Sequence, residues 1–490
     1  MSLPRDLYDA AGVRALDRTA IDGHGIPGRE LMERAGAAAF AVLRSRWPQA
    51  RRVLVCCGQG NNAGDGYVIA RLARAAGCAV SVLQVGEAAA LTGDARAAFD
   101  AMRAAGLGTA AVPPGPADVD VVVDALFGTG LAREVTGHYR EAIDWIDAVR
   151  RPTLAVDLPS GLHADTGAVL GAAVRADVTI TFIGLKQGLF TGEAPDYVGD
   201  LEFADLGVPG AVYEAVASTA QRLEFAALRT RLGRRPRTAH KGDHGHVLVV
   251  GGAPGYSGAV RLAAAAAARV GAGLVSVAAH PEVAAGVSAL RPELMAHAVA
   301  EAAGLTPLLA RASVVAIGPG LGQSAWARAL FGRVLDGALP IVVDADALNL
   351  LAIDPVRRAD WVLTPHPGEA ARLLGTTTRA LQADRFAAAH ALAAKFGGSV
   401  ILKGAGSLVA RQGARTGVVM GGNPGMGSGG MGDVLTGVVA GLIAQGLDPH
   451  AAATLGACLH AAAGDAAAHA GGERGLLAGD LIDRLRGLVN

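Results

Sequence analysis

Asp433 stands behind a long glycine-rich approach, Gly421-Gly422-Asn423-Pro424-Gly425-Met426-Gly427-Ser428-Gly429-Gly430-Met431-Gly432, and just ahead of an apolar run with helical character, Val434 to Leu442. Glycine lets backbone N–H groups converge on an anion, and a helix N-terminus adds partial positive charge at the same place. A carboxylate there faces phosphate or a proton in transit. Asp also caps helices without doing any chemistry, so two readings of Asp433 stand. The glycine density ahead of it favours function, because a cap needs no long flexible approach.

The first half of the chain carries a second set of such residues. Gly58-Gln59-Gly60-Asn61-Asn62-Ala63-Gly64-Asp65-Gly66 follows an apolar segment and precedes a helix expected from Tyr67. Strand, glycine loop and helix in that order cradle phosphates in nucleotide-binding folds. The loop is not a Walker A motif, since no Gly-Lys-Ser/Thr follows, nor a clean dinucleotide fingerprint. A tight turn needs only small residues, whereas here Asn61, Asn62 and Asp65 bring amides and a carboxylate. Asp124 ends a Val-rich segment and is followed by Gly128-Thr129-Gly130-Leu131-Ala132-Arg133; Asp157 ends another, followed by Leu158-Pro159-Ser160-Gly161. Parallel sheets bind ligands beyond the carboxyl ends of their strands, so Asn62, Asp124, Asp157 and Ser160 are expected to converge on one crevice. Their hard oxygens suit a monovalent or divalent cation, and an Asp there can also move a proton.

Further loops recur in the second half: Gly251-Gly252-Ala253-Pro254-Gly255-Tyr256-Ser257-Gly258-Ala259, Gly318-Pro319-Gly320-Leu321-Gly322, Asp344-Ala345-Asp346-Ala347-Leu348-Asn349, Thr364-Pro365-His366-Pro367-Gly368-Glu369 and Lys403-Gly404-Ala405-Gly406-Ser407. Lys403 can meet phosphate as a point charge with the adjacent N–H groups helping. His366, set between prolines, either touches a ligand or packs in a rigid turn; both readings stand.

Two blocks of alternating segments must position these residues. In the first, Arg52–Cys57, Ala79–Val85, Asp120–Leu126, Thr153–Leu158, Val178–Ile183 and Leu201–Val208 read as strands. In the second, His246–Val250, Leu274–Ala278, Val314–Ile317, Ile341–Val343, Trp361–Leu363 and Val400–Lys403 do. Continuous apolar strands alternating with helical runs imply parallel sheets covered on both faces. The fold class is α/β throughout, in two domains, 1–220 and 221–490, since 490 residues exceed what one core supports. Arg229, Arg231, Arg234, Arg235, Arg237 and Lys241 crowd the junction without interleaved aromatics, which reads as a solvated linker and not an RNA-binding tail.

Composition narrows the functional classes. Lys+Arg and Asp+Glu number 44 each, which gives no electrostatic case for nucleic acid or an anionic membrane as partner. The four cysteines, Cys56, Cys57, Cys78 and Cys458, lack CxxC spacing, so neither zinc nor a disulfide framework is expected, and reduced thiols suit the cytoplasm. The N-terminus is charged early and has no apolar core of a signal peptide, and no apolar run is long enough to span a bilayer.

The motifs together resemble a known pair of domains. Gly60-Asn61-Asn62-x-Gly64-Asp65-Gly66, Asp124-x-x-x-Gly128-Thr129-Gly130-Leu131-x-Arg133 and Asp157-x-Pro159-Ser160-Gly161 are similar to the NAD(P)H-hydrate epimerase domain, the YjeF N-terminal family. The resemblance implies a Rossmann-like domain that holds K⁺ through Asn62, Asp124 and Ser160. It implies that the hydrate is held by Asn61, Asn62, Ala63, Gly64 and Asp65, by Gly128, Thr129, Gly130, Leu131, Ala132, Arg133 and Glu134, and by Asp157, the candidate for proton work. Ala63 departs from the family, which usually has Gly there; a methyl group matters only if that backbone needs positive φ. From about His240 onward, Thr-Pro-His-Pro-Gly-Glu, Leu-Lys-Gly-Ala-Gly and Gly-Gly-Met-Gly-Asp-Val-Leu-Thr-Gly resemble the ADP-dependent NAD(P)H-hydrate dehydratase domain, a ribokinase-like branch. This implies that Ala259, Gly320, His366 and Asp433 touch the hydrated nicotinamide nucleotide, with Asp433 catalytic. It implies that Lys403, Gly404, Ala405, Gly406, Ser407 and Gly432 touch the adenine nucleotide, with Mg²⁺ and with ADP as cosubstrate. The expected partners are then NADHX, NADPHX and ADP, and a homo-oligomer is expected. Two rival readings remain: a vitamin or sugar kinase on the same ribokinase-like device, and a first domain that binds without turnover.

Overall fold

The computed structural model describes residues 3–289 and 291–490; Met1, Ser2 and Leu290 lie outside them. The chain forms two compact units, Met1–Gln221 and Arg222–Asn490. In the first, six strands lie in the order Ala79–Gln84, Arg52–Cys57, Val121–Ala125, Thr153–Val156, Val178–Phe182 and Asp200–Ala204, all parallel. Arg52–Cys57 shows why the sheet is buried on both faces. Val53, Val55 and Cys57 pack under one helical layer, while Leu54 and Cys56 pack against the other, the period of two that a strand imposes. Chain order reverses between Arg52–Cys57 and Val121–Ala125, and the loops leaving those two strands diverge there to open a crevice. Those loops lead into Asn61 to Asp65 and through Gly128 to Arg133.

The helix expected from Tyr67 begins at Asn61 instead and runs to Ala75. Gly64 and Gly66 are therefore helical, although glycine inside a helix costs roughly 1 kcal/mol against alanine. Close packing requires them. A Cβ at Gly64 would stand 2.5 Å from Met32 Sδ, and one at Gly66 would stand 2.8 Å from both Cys57 Sγ and Ala125 Cβ. Ala63 lies in the same helix and is absent from the residues with positive φ, so its methyl group is accommodated.

A small ribbon completes this unit. Asp6–Tyr8 pairs parallel with Leu185–Lys186 and antiparallel with Ala220 and Gln221. Asp9 then caps the helix Ala10–Arg18, its carboxylate accepting from Gly12 N at 2.7 Å.

In the second unit seven parallel strands run in the order Met295–Ala298, Leu274–Ala279, His246–Val250, Val314–Ile317, Ile341–Val343, Trp361–Leu363 and Ser399–Leu402. The antiparallel strands Leu408–Arg411 and Thr416–Val419 extend it. Met295–Ala298 and this hairpin were not expected from the sequence; they are short, and their Ala, Arg and Gly content carries little strand signal. The loops after His246–Val250 and Val314–Ile317 meet at another switch point, where Ala253 N donates to Gly320 O at 2.7 Å. The helix behind Asp433 spans Met431–Ala444, longer than expected at both ends, and is buried almost all round against Ser257–Arg269, Pro449–Gly471 and Ala478–Leu488. Gly437 belongs to that contact: a Cβ there would collide with the Ala263 carbonyl. The basic stretch around Arg229–Lys241 is exposed, with Arg235 donating to Gln445 Oε1 at 2.6 Å.

Candidate active sites

In the first unit a cavity of about 750 Å³ opens at the switch point. Asn61, Asn62, Asp65, Gly128, Thr129, Gly130, Leu131, Ala132, Arg133 and Asp157 line it. Ala63 and Gly64 face the core, and exposed Glu134 lies outside the lining. Asp157 takes φ +72°, unusual for a residue with a Cβ, and its carboxylate accepts from Lys186 Nζ. Such a conformation persists where the surroundings enforce it, commonly at functional sites. Lys186 is 1% exposed and also donates to Thr181 Oγ1 at 2.9 Å and Phe182 O at 3.1 Å.

The sequence placed Asp124 and Ser160 in the crevice beside Asn62 and Asp157. They lie beneath it, both fully buried, because Asp124 faces into the sheet–loop junction. Asp124 Oδ1 accepts from Ser160 Oγ at 2.6 Å and Leu126 N at 3.2 Å, and its Oδ2 accepts from Ser160 N at 2.8 Å. Ser160 Oγ in turn accepts from Phe127 N at 2.8 Å. Burial pushes the Asp124 carboxyl up to about 6, against the pull of the Ser160 hydrogen bonds. Asn62 Nδ2 donates to Phe127 O at 2.8 Å, while Asn62 Oδ1 is buried with no hydrogen-bond partner among the described residues. An orphaned amide oxygen, a hydroxyl and a carboxylate with no cationic partner among the described residues fit a bound monovalent cation.

Asp17, Lys186, Arg14, Gln59 and Tyr139 also line the cavity and were missed in the sequence. Asp17 sits in an N-terminal helix far from any glycine loop. Lys186 follows the strand-like run Val178–Ile183, and the Gly184 and Gly188 around it were the only available signal.

In the second unit Asp433 does not cap its helix. Gly430, with φ +88°, is the N-cap, and Asp433 lies in the first turn beyond it. Not all of the glycine amides ahead of it are free to meet an anion. Gly422 N donates to Asp465 Oδ2 at 2.9 Å, Gly425 N to Asn423 Oδ1 at 3.1 Å and Gly427 N to Pro424 O at 3.1 Å. The amides of the first helical turn, which have no intrahelical acceptor, remain for an anion. Burial is the main force pushing Asp433 up to about 7; Asp344 adds to the rise and Lys403 opposes it.

Lys403 organises the carboxylates around it. Its Nζ donates to Asp344 Oδ1 at 2.9 Å and lies 4.0 Å from Glu369 Oε2. Asp344 is 1% exposed; burial alone would raise it, but Lys403 and the hydrogen bond from Thr436 Oγ1 at 2.8 Å hold it below the usual carboxylate range. A Cβ on Gly432 would stand 3.0 Å from Lys403 Nζ, so glycine leaves room for the ammonium. After Lys403 the chain turns at once: Gly404 takes φ +139°, and Ser407 Oγ donates to Gly404 O at 2.9 Å while accepting from Gly404 N at 3.1 Å. Ala405 and Gly406 complete this turn. Gly320, φ +56°, packs against Tyr256 and Ala259, where a Cβ would stand 2.7 Å from Tyr256 Cβ and 3.3 Å from that of Ala259. Tyr256 is 62% exposed beside it. His366 holds a helix start in place. Its Nδ1 accepts from Gly368 N at 3.0 Å, and His366 N donates to Glu369 Oε2 at 2.8 Å, a reciprocal cap. Its Nε2 edge stays half exposed toward Glu369. Among the described residues no three His, Cys, Asp or Glu side chains stand close enough to hold a metal by themselves.

The family described as NAD(P)H-hydrate dehydratase matches residues 247–486, and that described as YjeF-related protein N-terminus matches residues 28–188. Over 99% of both chains, the sequence is 50% identical to the bifunctional NAD(P)H-hydrate repair enzyme Nnr of Coxiella burnetii. It is 45% identical to the Escherichia coli K12 protein of the same name, over 100% of this chain and 95% of that one. Among solved structures, a ribokinase-like superfamily protein from Enterococcus faecalis V583 matches with a TM-score of 0.51 and 29% identity, covering 55% of this chain and 94% of that one.

Proposed function

This chain belongs to the bifunctional NAD(P)H-hydrate repair family, and from that premise we propose how its two sites divide the work. Its function is nicotinamide nucleotide repair by an epimerase unit and a dehydratase unit. NADH and NADPH hydrated at C6 of the ring exist as two epimers, NADHX and NADPHX, which no longer carry hydride. The first unit interconverts R and S. The second transfers a phosphoryl group from ADP to the hydroxyl of the S epimer, giving AMP, and then expels phosphate to restore the dihydropyridine. Phosphate is a far better leaving group than hydroxide, which is why nucleotide is consumed.

One observation carries the dehydratase reading: the Asp433 carboxylate sits in the first turn of a buried helix beside Lys403. The free amides and the ammonium stabilise the phosphoryl group in flight, and Asp433 takes the proton from the ring hydroxyl. A general base is most effective with a pKa near the working pH, and about 7 meets that condition. Lys403 to Ser407 and Gly432 form the phosphate side of the site, and Ala259, Gly320 and His366 the hydrate side. Mg²⁺ bound with the ADP phosphates would supply further charge neutralisation.

In the first unit Asn62, Asp124 and Ser160 would hold K⁺, which would supply positive charge beside the buried Asp124 carboxylate. Asp157 faces the reacting ring, with the Lys186 ammonium paired against its carboxylate. We further place the enzyme in the cytosol, where its four buried free thiols suit a reducing compartment, and expect a homo-oligomer, for which sedimentation velocity is the test.

The functional test supplies S-NADHX and ADP and follows recovery of the reduced-nicotinamide absorbance. Asp433→Asn is expected to bind ADP and lose repair. Full repair by that variant would refute the role, and no recovery by the wild type, with stable phosphorylation of a vitamin alcohol by ATP, would point to a kinase.

A further inference from the structure

Exchange of configuration at C6 needs two proton-handling groups, one to help the hydroxyl leave and one to accept a proton as water returns. The cavity of the first unit holds more carboxylates than its assigned roles use. Asp17, Asp65, Asp94 and Asp157 all line it, alongside the cations Arg14, Arg133 and Lys186. Lys186 is committed to Asp157, and among the described residues neither Asp17 nor Asp65 has an ion pair.

The fold places Asp17 at this spot by specific means. Asp6–Tyr8 pairs beside Leu185–Lys186, with Tyr8 in register with Lys186. The chain then turns into the helix Ala10–Arg18, whose buried face is Ala10, Val13 and Leu16. A Cβ on Gly184 would stand 2.8 Å from Leu16 Cδ1, so this helix lies hard against the strand that carries Lys186. Asp17 is thereby in electrostatic reach of both Lys186 and Asp157, and burial pushes its carboxyl up to about 6.

On the epimerase reading of this unit, we propose that Asp17 is the proton-donating counterpart of Asp157, the two forming an acid–base pair across C6 of the hydrate. The Asp17 carboxylic acid gives its proton to the C6 hydroxyl. The C6–O bond breaks, water leaves, and the lone pair of ring nitrogen N1 forms an N1=C6 iminium. Water then adds to the opposite face, the π electrons return to N1, and the surplus proton passes to Asp157. The pair ends with its protons exchanged, ready to run the reverse direction, and no net water or proton is consumed. Asp157, paired with Lys186, also faces the cation formed midway.

The experiment uses the full-length enzyme and R-NADHX in ¹⁸O-labelled water. Wild type is expected to interconvert the epimers with label entering the C6 hydroxyl. Asp17→Asn should lower epimerisation kcat by roughly 10²–10⁴-fold, leave affinity for the hydrate within a few-fold, and leave dehydration of S-NADHX unchanged. Asp17→Glu, which keeps the acid, should recover part of the rate and carries the test if Asp17→Asn fails to fold. Wild-type epimerisation by Asp17→Asn, loss of rate in Asp17→Glu equal to that in Asp17→Asn, or epimerisation without label would each overturn the proposal. A wild-type enzyme that does not epimerise at all would instead remove the epimerase reading beneath it.

Discussion

Replacing Lys403 by Met isolates what the buried Lys403–Asp344 pair does for the second unit. The two charges meet at 2.9 Å, where an effective dielectric of about 20 gives an attraction of roughly 6 kcal/mol, largely offset by their desolvation. Removing the ammonium leaves Asp344 buried and uncompensated, a change that typically costs about 3–5 kcal/mol. The loss has a ceiling, because the carboxylate can protonate instead. Against an unfolded value of about 3.9, neutralising it at pH 7 costs about 4 kcal/mol, and at pH 5 about 1.5 kcal/mol. The sign follows from the two folded states. In the wild type Asp344 lies below its usual range, so its contribution is present above the unfolded pKa and lost as pH falls through the folded value. In the variant the folded carboxyl is raised, so the penalty grows as pH rises above the unfolded value. Urea unfolding of the full chain, with Trp47 and Trp145 replaced by Phe so that Trp326 and Trp361 report on the second unit, should show a destabilisation that shrinks by about 2.5 kcal/mol from pH 7 to pH 5. Adding Asp344→Asn should recover much of the loss, since a neutral pair leaves no stranded charge. A pH-independent destabilisation, or a double variant as unstable as the sum of the singles, would refute the reasoning.

Three further outcomes follow from the two sites. If Asp433 is the base, as proposed, it must be ionised to act, and with burial pushing its carboxyl up to about 7, kcat/KM for dehydration should be retained above that pH and fall as pH drops through it. Asp433→Asn should lose roughly 10²–10⁴-fold in rate with ADP affinity kept, measured by calorimetry. Exchanging K⁺ for tetramethylammonium, too large for the Asn62–Asp124–Ser160 cluster, should depress epimerisation of R-NADHX and leave dehydration of S-NADHX unchanged; equal loss of both, or of neither, would remove the cation from this role.

Much of both sheets was legible because buried parallel strands are continuous apolar runs. Arg52–Cys57, His246–Val250, Val314–Ile317, Ile341–Val343 and Trp361–Leu363 occur with the bounds their residues indicate. Glycine was the harder residue to read, since one type answers to three different physical demands. Gly64, Gly66 and Gly437 look like parts of phosphate loops but exist because a neighbouring side chain or backbone lies too close for a Cβ. Gly430 and Gly404 take positive φ, and Gly432 leaves room for an ammonium. A sequence shows that glycines are dense and cannot show which demand each one meets.

The residues missed have a common physical origin. Asp17 and Lys186 lie far apart in the chain and are joined only because Tyr8 and Lys186 share a strand register while Leu16 packs on Gly184. Local pattern carries nothing about such a meeting: Asp17 on its own is one more polar residue on an amphipathic helix, and Lys186 one more cation after a strand. Strand ends, by contrast, announce themselves, because an acid closing an apolar run is visible within a few residues. Sequence reading therefore finds Asp157, which a strand delivers to the cavity, and overlooks Asp17, its proposed counterpart, which a distant helix delivers. The same logic directs attention in other parallel α/β sites to the carboxylates on whichever helix covers the mouth of the switch-point crevice.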